Sequence, residues 1–187
     1  EIDALLAEYG IKAAATGNAL TPSFPFNLMF KTMIGPTGQL VGYLRPETAQ
    51  GLFVNFRRLL DFNQGKMPFA AAQIGLGFRN EIAPRNGLLR VREFCMAEIE
   101  HFVNPNDKTT PRFASVADKV LSLFSQDAQL GTGRPFPMAI GEAVAQGLVN
   151  NETLGFFLAR TQLFMEKIGL DPARLRFRQH LKTEMAH

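Results

Sequence analysis

Residues 78–94 read FRNEIAPRNGLLRVREF and place four arginines and two glutamates around the sequence Pro-Arg-Asn-Gly. Proline, asparagine and glycine in succession favour a turn, because proline fixes its own φ angle and the other two tolerate a positive one. Residues 69–82 before this turn and 88–103 after it read as extended segments. The pattern predicts an antiparallel β-hairpin with a wide polar loop.

Strand alternation predicts which charged side chains of this hairpin share a face. Arg79 and Glu81 share one face of the first strand, and Arg90, Phe94 and Glu98 share one face of the second. Arginine suits phosphate because its planar fork donates two parallel hydrogen bonds. An aromatic ring can stack on a base, and a carboxylate can hold an amine. The face therefore suits a nucleoside phosphate beside an amino group; the alternative is a solvated face of ion pairs, each worth about 0–1 kcal/mol.

A second charged cluster, LRPETAQ at 44–50, leads into an apolar segment with helical spacing that is predicted to form one helix over 48–63. Gly65 follows this segment at the position where a left-handed residue commonly ends a helix. Glu47 could be a first-turn carboxylate that the helix dipole favours. Thr48 could be a cap or a surface group. A solvated hairpin does not by itself account for this cluster.

Composition limits the class of protein without naming a partner. The chain has 187 residues, of which 46% are hydrophobic and 20% charged, as in one soluble domain or a domain with an appendage. Its net charge of +3 does not indicate a long basic surface for nucleic acid. Cys95 is the only cysteine, which excludes an internal disulfide and fits a reducing compartment; we expect it to be a buried thiol. No apolar run is long enough for a membrane span, and the first residues do not resemble a signal peptide, so we expect a cytoplasmic protein.

The polar stretch 105–111 is the predicted boundary between two parts of the chain, 1–104 and 105–187. The second part is expected to be mainly helical and to end in a strand. Helices are predicted over 114–128, 140–149 and 151–168, with Asn151 as a possible cap, and the strand over 175–180.

The segments YLRPETAQGLFVNFRRLLDFNQGKMPFAAAQIGLGFRNE (43–81) and GLLRVREFCMAEIEHF (87–102) resemble the catalytic core of glycyl-tRNA synthetases of the dimeric type found in eukaryotes, archaea and some bacteria. The second motif of class II synthetases combines a Phe-Arg-x-Glu strand, a variable loop, and an Arg or His followed four residues later by Phe. These positions are Phe78, Arg79, Glu81, Arg90 and Phe94. The resemblance implies an α+β fold, an antiparallel sheet with flanking helices, present as an incomplete class II core.

The resemblance also implies roles for individual residues. At the ATP site, Arg79 would contact the α-phosphate as the catalytic residue and Glu81 the adenine amino group. Arg90 would hold the terminal phosphates, and Phe94 would stack on adenine. The remaining positions assigned to this site are Asn80 and Val91, the latter through its backbone.

Glycine would be held through its ammonium group by Glu47 and Glu98. The implied reaction is the ATP-dependent activation of glycine and its ligation to tRNA(Gly), with Mg²⁺ bridging the ATP phosphates and no metal site of the protein's own. The full-length protein is expected to be a homodimer. It is expected in the cytoplasm, a mitochondrial form is compatible with the resemblance, and no membrane partner is expected. Motifs one and three and an anticodon-binding domain would lie outside this sequence, so the chain alone is expected to be incomplete for turnover.

Two alternatives come from other classes. A non-catalytic relative that binds nucleic acid as an accessory subunit would not need Arg79, Glu81, Arg90 and Phe94 together. A class II synthetase for another amino acid, such as threonine, proline or serine, could share the fold. Against it, PETAQG (46–51) combined with MAEIEH (96–101) resembles the glycine enzymes most closely.

Overall fold

A computed structural model describes residues 1–184 of the chain. The chain divides into two compact units, Glu1–Phe102 and Val103–His187. Helices and mainly antiparallel β-pairs make up both units, so the fold is α+β as predicted. Of the helices in the described part of the chain, none has the length and apolar character needed to cross a membrane.

The first unit contains two β-hairpins and three short helices. In chain order they are α1 (Ile2–Glu8), β1 (Lys31–Ile34), β2 (Leu40–Tyr43), α2 (Ala49–Val54), α3 (Phe56–Phe62), β3 (Phe69–Phe78) and β4 (Glu93–Phe102). Strands β1 and β2 pair antiparallel. Gly35 and Gly38 take positive φ angles of 85° and 62° in the turn between them. Glycine adopts these angles without the steric cost of a side chain.

The prediction of a single helix over 48–63 is wrong, because the helix is interrupted at Asn55, which separates α2 from α3. The side-chain amide of Asn55 donates a hydrogen bond to the carbonyl of Gly51 at 2.8 Å. Asparagine side chains compete with the helix backbone in this way. Gly65 has a φ angle of 68° just beyond α3, in keeping with the predicted stop.

Strands β3 and β4 form the predicted antiparallel hairpin, in a register that runs from Phe69 opposite Phe102 to Phe78 opposite Glu93. Both strands are shorter than predicted, since the regular pairing ends at Phe78 and resumes at Glu93. The Phe78 N–H donates to the Arg45 carbonyl at 2.9 Å. Residues 79–92 therefore form the connecting loop, and the assignment of Arg79, Glu81 and Arg90 to strand faces was wrong.

Helices α2 and α3 cover one face of this hairpin through a cluster of phenylalanine rings. The Phe102 ring lies 4.8 Å from that of Phe56, 5.0 Å from that of Phe69 and 5.9 Å from that of Phe53, between centroids. Such tilted and edge-on contacts are favourable aromatic geometries. The cluster fixes the helices at the end of the hairpin away from the charged loop.

The opposite face of the hairpin is exposed in the described part of the chain. Ile74 is 76% exposed and Ile99 71% exposed. Cys95 lies on this face and is also exposed, so the expectation of a buried thiol was wrong. The alternation that placed Cys95 away from Phe94 was correct, but alternation does not tell whether a face is covered.

The second unit contains a three-stranded sheet and three α-helices. Its elements are β5 (Val120–Phe124), α4 (Gln126–Leu130), β6 (Phe136–Ala139), α5 (Ile140–Ala145), α6 (Glu152–Lys167) and β7 (Phe177–Arg178). The sheet order is β6-β5-β7, with β5 antiparallel to β6 and parallel to β7.

The helix predicted over 114–128 is wrong, because β5 and α4 occupy most of it. Short apolar runs fit either period, and Leu121 and Leu123 are both buried on one face of the strand. The helices predicted over 140–149 and 151–168 are confirmed with shorter bounds. Asn151 caps α6, since its side-chain oxygen accepts a hydrogen bond from the Leu154 N–H at 2.9 Å.

Replacing Leu121 by alanine should lower the free energy of unfolding by about 2–5 kcal/mol, because this side chain is completely buried between the sheet and the helices. Val120→Ala is the matched control on the same strand, since Val120 is 52% exposed. Urea denaturation of the chain and the two variants measures both values. Equal losses for the two variants would contradict the described core.

Candidate active site

Arg79 and Phe94 lie together at the end of the β3–β4 hairpin where the charged loop begins. The guanidinium carbon of Arg79 is 5.3 Å from the centroid of the Phe94 ring. This is a cation–π contact, which holds a guanidinium group over an aromatic face. The loop residue and the strand residue are thus on the same side of the hairpin, as a site formed by both requires.

Glycines on β3 make the floor beneath these side chains. Gly77 lies opposite Phe94 in the hairpin register. A Cβ atom on Gly77 would come within 2.8 Å of the Met96 sulfur and 3.1 Å of the Phe94 ring. A Cβ atom on Gly75 would collide with the guanidinium group of Arg45. The absence of side chains at these two positions lets an aromatic ring and a guanidinium group lie close to the strand.

Glu98 connects the hairpin to the start of helix α2. Its Oε2 atom accepts hydrogen bonds from the N–H of Thr48 at 2.6 Å, from the N–H of Ala49 at 2.8 Å and from the Thr48 hydroxyl. The pKa of Glu98 lies below its ordinary value, and the hydrogen bond from the Thr48 hydroxyl is the largest cause. Partial burial acts in the opposite direction and raises the pKa. The two N–H groups and the charge of Arg79 lower it further. The hydrogen bonds therefore orient the Glu98 carboxylate and favour its ionised form, to which the charge of Arg79 also contributes.

Arg45 and Gln73 hold the same segment from its other side. The Nε atom of Arg45 donates to the carbonyl of Leu76 at 2.8 Å. With the Gln73 amide oriented to satisfy both neighbours, its oxygen accepts from Arg45 Nη1 at 3.1 Å and its nitrogen donates to the Thr48 carbonyl at 3.2 Å. Residues 45–48 are consequently attached to β3 by side-chain bonds and to β4 by Glu98.

Hydrogen bonds also order the two ends of the loop. The Nε and Nη2 atoms of Arg92 donate to the carbonyl of Glu81 at 3.1 and 3.0 Å. The backbone N–H of Asn80 donates to the Leu28 carbonyl at 2.7 Å, and its side chain donates to the Asn27 carbonyl at 3.2 Å. The loop is therefore anchored on both sides of Arg79.

Of the residues predicted for the site, the structure places Arg79 over the Phe94 ring, and Glu98 lies four residues further along β4 on the same face as Phe94. Glu47 is half-buried and directly precedes Thr48, the partner of Glu98. Arg90 is exposed in the loop, and its carbonyl accepts from the Arg85 N–H at 3.1 Å. Its guanidinium group makes no hydrogen bond or ion pair with residues 1–184.

The other predicted positions lie close along the chain. Asn80 and Glu81 follow Arg79, and Val91 is half-buried beside Arg90. The side-chain amide nitrogen of Asn80 donates a hydrogen bond to the backbone carbonyl of Asn27.

Sequence reasoning missed the supporting residues Arg45, Thr48 and Gln73. A signal for one part of this network was present, because Gln73, Gly75 and Gly77 alternate on the face that carries Glu98 and Phe94. Small residues at every second position indicate that something lies against the strand. The hydrogen bonds between residues about 50 positions apart carry no comparable local pattern.

No group of three or more His, Cys, Asp or Glu side chains in residues 1–184 is arranged to hold a metal ion. The chemistry that this arrangement can supply is charge-based. One guanidinium group lies over an aromatic ring, and one carboxylate on the same strand as that ring is held by hydrogen bonds. They can bind an anion, a planar ring and a cation side by side.

Comparison with known proteins identifies the class of this chain. The family described as "tRNA synthetase class II core domain (G, H, P, S and T)" matches residues 39–129, which include the whole β3–β4 hairpin and the segment 45–49. The chain therefore belongs to the class II aminoacyl-tRNA synthetases.

Relatives narrow this class to one family. Proteins called glycine–tRNA ligase from Caenorhabditis elegans and Drosophila melanogaster are 62% and 58% identical to this chain, over 98% and 100% of it. "Glycine–tRNA ligase 1, mitochondrial" from Saccharomyces cerevisiae is 57% identical over 100% of the chain. The chain is a member of the glycine–tRNA ligase family.

The matched region is a limited part of each relative. This chain covers 25% of the C. elegans protein, 24% of the D. melanogaster protein and 27% of the S. cerevisiae protein. It therefore spans about a quarter of the length of these relatives.

The hydrogen bonds to Glu98 predict a pH dependence of stability. A carboxylate whose pKa is lowered on folding stabilises the protein above its ordinary pKa, and this contribution is lost as the pH falls through the lower folded value. Glu98→Gln should therefore reduce the urea midpoint near pH 7, and its difference from the unsubstituted chain should shrink as the pH falls below 4.5, the ordinary pKa of a glutamate.

Glu100→Gln is the control for this measurement, because Glu100 lies on the same face of β4 but receives none of the bonds from Thr48 and Ala49. The pH-dependent difference should be larger for Glu98→Gln than for this control. A difference for Glu98→Gln that stays constant across the acid range would contradict the assigned role of the carboxylate.

Proposed function

We propose that this chain carries the ATP- and glycine-binding surface of a glycine–tRNA ligase, which activates glycine with ATP and transfers it to tRNA(Gly). The observation that carries the proposal is the position of the Arg79 guanidinium over the Phe94 ring, with the hydrogen-bonded carboxylate of Glu98 on the same face of β4. The names of the relatives support the choice of glycine.

For ATP, Arg79 contacts the α-phosphate and Phe94 stacks on the adenine ring. Glu81 accepts a hydrogen bond from the adenine amino group, and the backbone near Asn80 and Val91 borders the nucleotide. Arg90 reaches the terminal phosphates, and its exposed guanidinium group is available to them. Mg²⁺ enters as part of the ATP substrate, bound to its phosphates.

For glycine, the carboxylates of Glu47 and Glu98 bind the ammonium group. Glycine has no side chain, so its affinity must come from its two charged ends. Opposite charges held in place at short distance supply that affinity without enlarging the pocket. Rejection of alanine then depends on the absence of room for a methyl group.

The reaction needs orientation and charge neutralisation more than proton transfer. The glycine carboxylate attacks the α-phosphorus of ATP, the bond to the bridging oxygen breaks, and pyrophosphate leaves with the electron pair. An ionised carboxylate is already a nucleophile, so no general base is required. Arg79 neutralises charge that develops on the α-phosphate. The glycyl group then passes from the adenylate to the terminal ribose of tRNA, and AMP leaves.

We further propose a homodimer, a cytoplasmic location and a role for residues 105–187 as an insertion that follows the hairpin. A mitochondrial form is compatible with the name of the S. cerevisiae relative. No feature of residues 1–184 favours either the nucleic-acid-binding accessory subunit or an enzyme for threonine, proline or serine.

Glycine-dependent exchange of labelled pyrophosphate into ATP, measured on the full-length protein that contains this chain, tests the proposal. We expect exchange with glycine and none above background with alanine, threonine, proline or serine. Exchange that depends on one of those other amino acids, or no exchange with any, would overturn it.

Arg79→Ala should lower kcat/KM for ATP in this assay by about 10²–10³-fold, because it removes a charged donor from the phosphate that reacts. Arg85→Ala is the control, since Arg85 is an exposed arginine of the same loop with no assigned contact to ATP. We expect it to change kcat/KM by no more than about twofold. Equal effects of the two substitutions would show that the loop provides only general positive charge.

A further inference from the structure

Thr48 is a nearly inaccessible polar residue at the centre of the site. Its exposed fraction is 1%, although a threonine before a short helix would ordinarily reach solvent. Its hydroxyl does not cap α2 and instead donates to Oε2 of Glu98, and its N–H donates to the same oxygen at 2.6 Å. Buried polar groups that are fully bonded in this way fix one arrangement of their neighbours.

We propose that Thr48 is a positioning residue for glycine, which acts by holding the Glu98 carboxylate in its binding orientation. The inference rests on the proposed function, in which Glu98 binds the ammonium group. Oε2 of Glu98 takes all three donors from Thr48 and Ala49, and Oε1 takes none from the described residues. Oε1 is therefore the carboxylate oxygen that can still accept hydrogen bonds from a ligand.

The same bonds also define the backbone next to Glu47. Because Glu47 and Thr48 are adjacent in the chain, the contact between Thr48 and Glu98 brings the second proposed ammonium ligand to the hairpin. One residue thus links the two carboxylates that approach glycine from different elements. A change at Thr48 should affect both.

Gln73, which is itself bonded to Arg45, also holds Thr48. The Gln73 amide donates to the Thr48 carbonyl at 3.2 Å and accepts from Arg45 at 3.1 Å. The methyl group of Thr48 would lie 3.5 Å from a Cβ atom on Gly75, so its apolar side packs against the glycine floor. Both the polar and the apolar atoms of Thr48 therefore contact neighbouring groups, and its hydroxyl is held in one orientation.

The test uses Thr48→Val, which keeps the shape and removes the hydroxyl, together with Thr48→Ala and Thr48→Ser, all in the full-length protein. Steady-state pyrophosphate exchange gives KM for glycine, KM for ATP and kcat separately. We expect Val and Ala to raise KM for glycine roughly tenfold, as the loss of a hydrogen bond to a charged group implies, with KM for ATP within about twofold. Ser retains the hydroxyl and should restore KM for glycine to within about threefold of the unsubstituted protein.

Thr153→Val is the matched control, because its hydroxyl also donates a hydrogen bond, to the Lys108 carbonyl at 2.9 Å, outside the site. It should leave KM for glycine unchanged. The alanine variant carries the test if valine prevents folding, which thermal melting reports.

Two outcomes would overturn the inference: an unchanged KM for glycine in both Thr48→Val and Thr48→Ala, or equal increases in KM for glycine and for ATP that Thr48→Ser does not reverse. These are distinct from a failure of the proposed function, in which the unsubstituted protein shows no glycine-dependent exchange.

Discussion

The hydrogen bonds from Thr48 and Ala49 to Oε2 of Glu98 hold the site together, because they attach a chain segment to a strand about 50 residues away. Without them, the segment 45–49 would have only its contacts to β3. Ionisation of Glu98 is favoured by these donors, and the Arg79 guanidinium adds to the effect. One oxygen of this carboxylate therefore contributes to folding, and the other is the oxygen proposed to bind the glycine ammonium group.

A second constraint is the shape of β3. Gly75 and Gly77 remove side-chain bulk beneath Arg45 and Phe94, so that charged and aromatic groups lie on the strand instead of being pushed outward. Gly in a strand weakens the strand itself. The phenylalanine cluster at the other end of the hairpin offsets this, because four rings pack there over the same face. The phenylalanine cluster and the Arg79–Phe94 pair therefore lie at different ends of one hairpin.

Local chemistry explains which parts of this fold could be predicted. The turn residues of 84–87 and the alternation along β4 predicted the hairpin and the shared face of Phe94 and Glu98. The short run at 120–124 fits both helical and strand periods, and its burial in a sheet depends on residues far along the chain. Family resemblance supplied roles for single residues, but not the support of Glu98 by Thr48 or of Thr48 by Gln73. Those contacts depend on the folded arrangement of segments that are distant in sequence.

The most direct test is a crystal structure of the full-length protein with a non-hydrolysable analogue of glycyl-adenylate. The account predicts the adenine ring stacked on Phe94, the α-phosphate at Arg79, and the ammonium group bonded to Oε1 of Glu98 while Oε2 keeps its donors from Thr48 and Ala49. An analogue bound with its ammonium group away from Glu98, or with the contact between Thr48 and Glu98 broken, would contradict it.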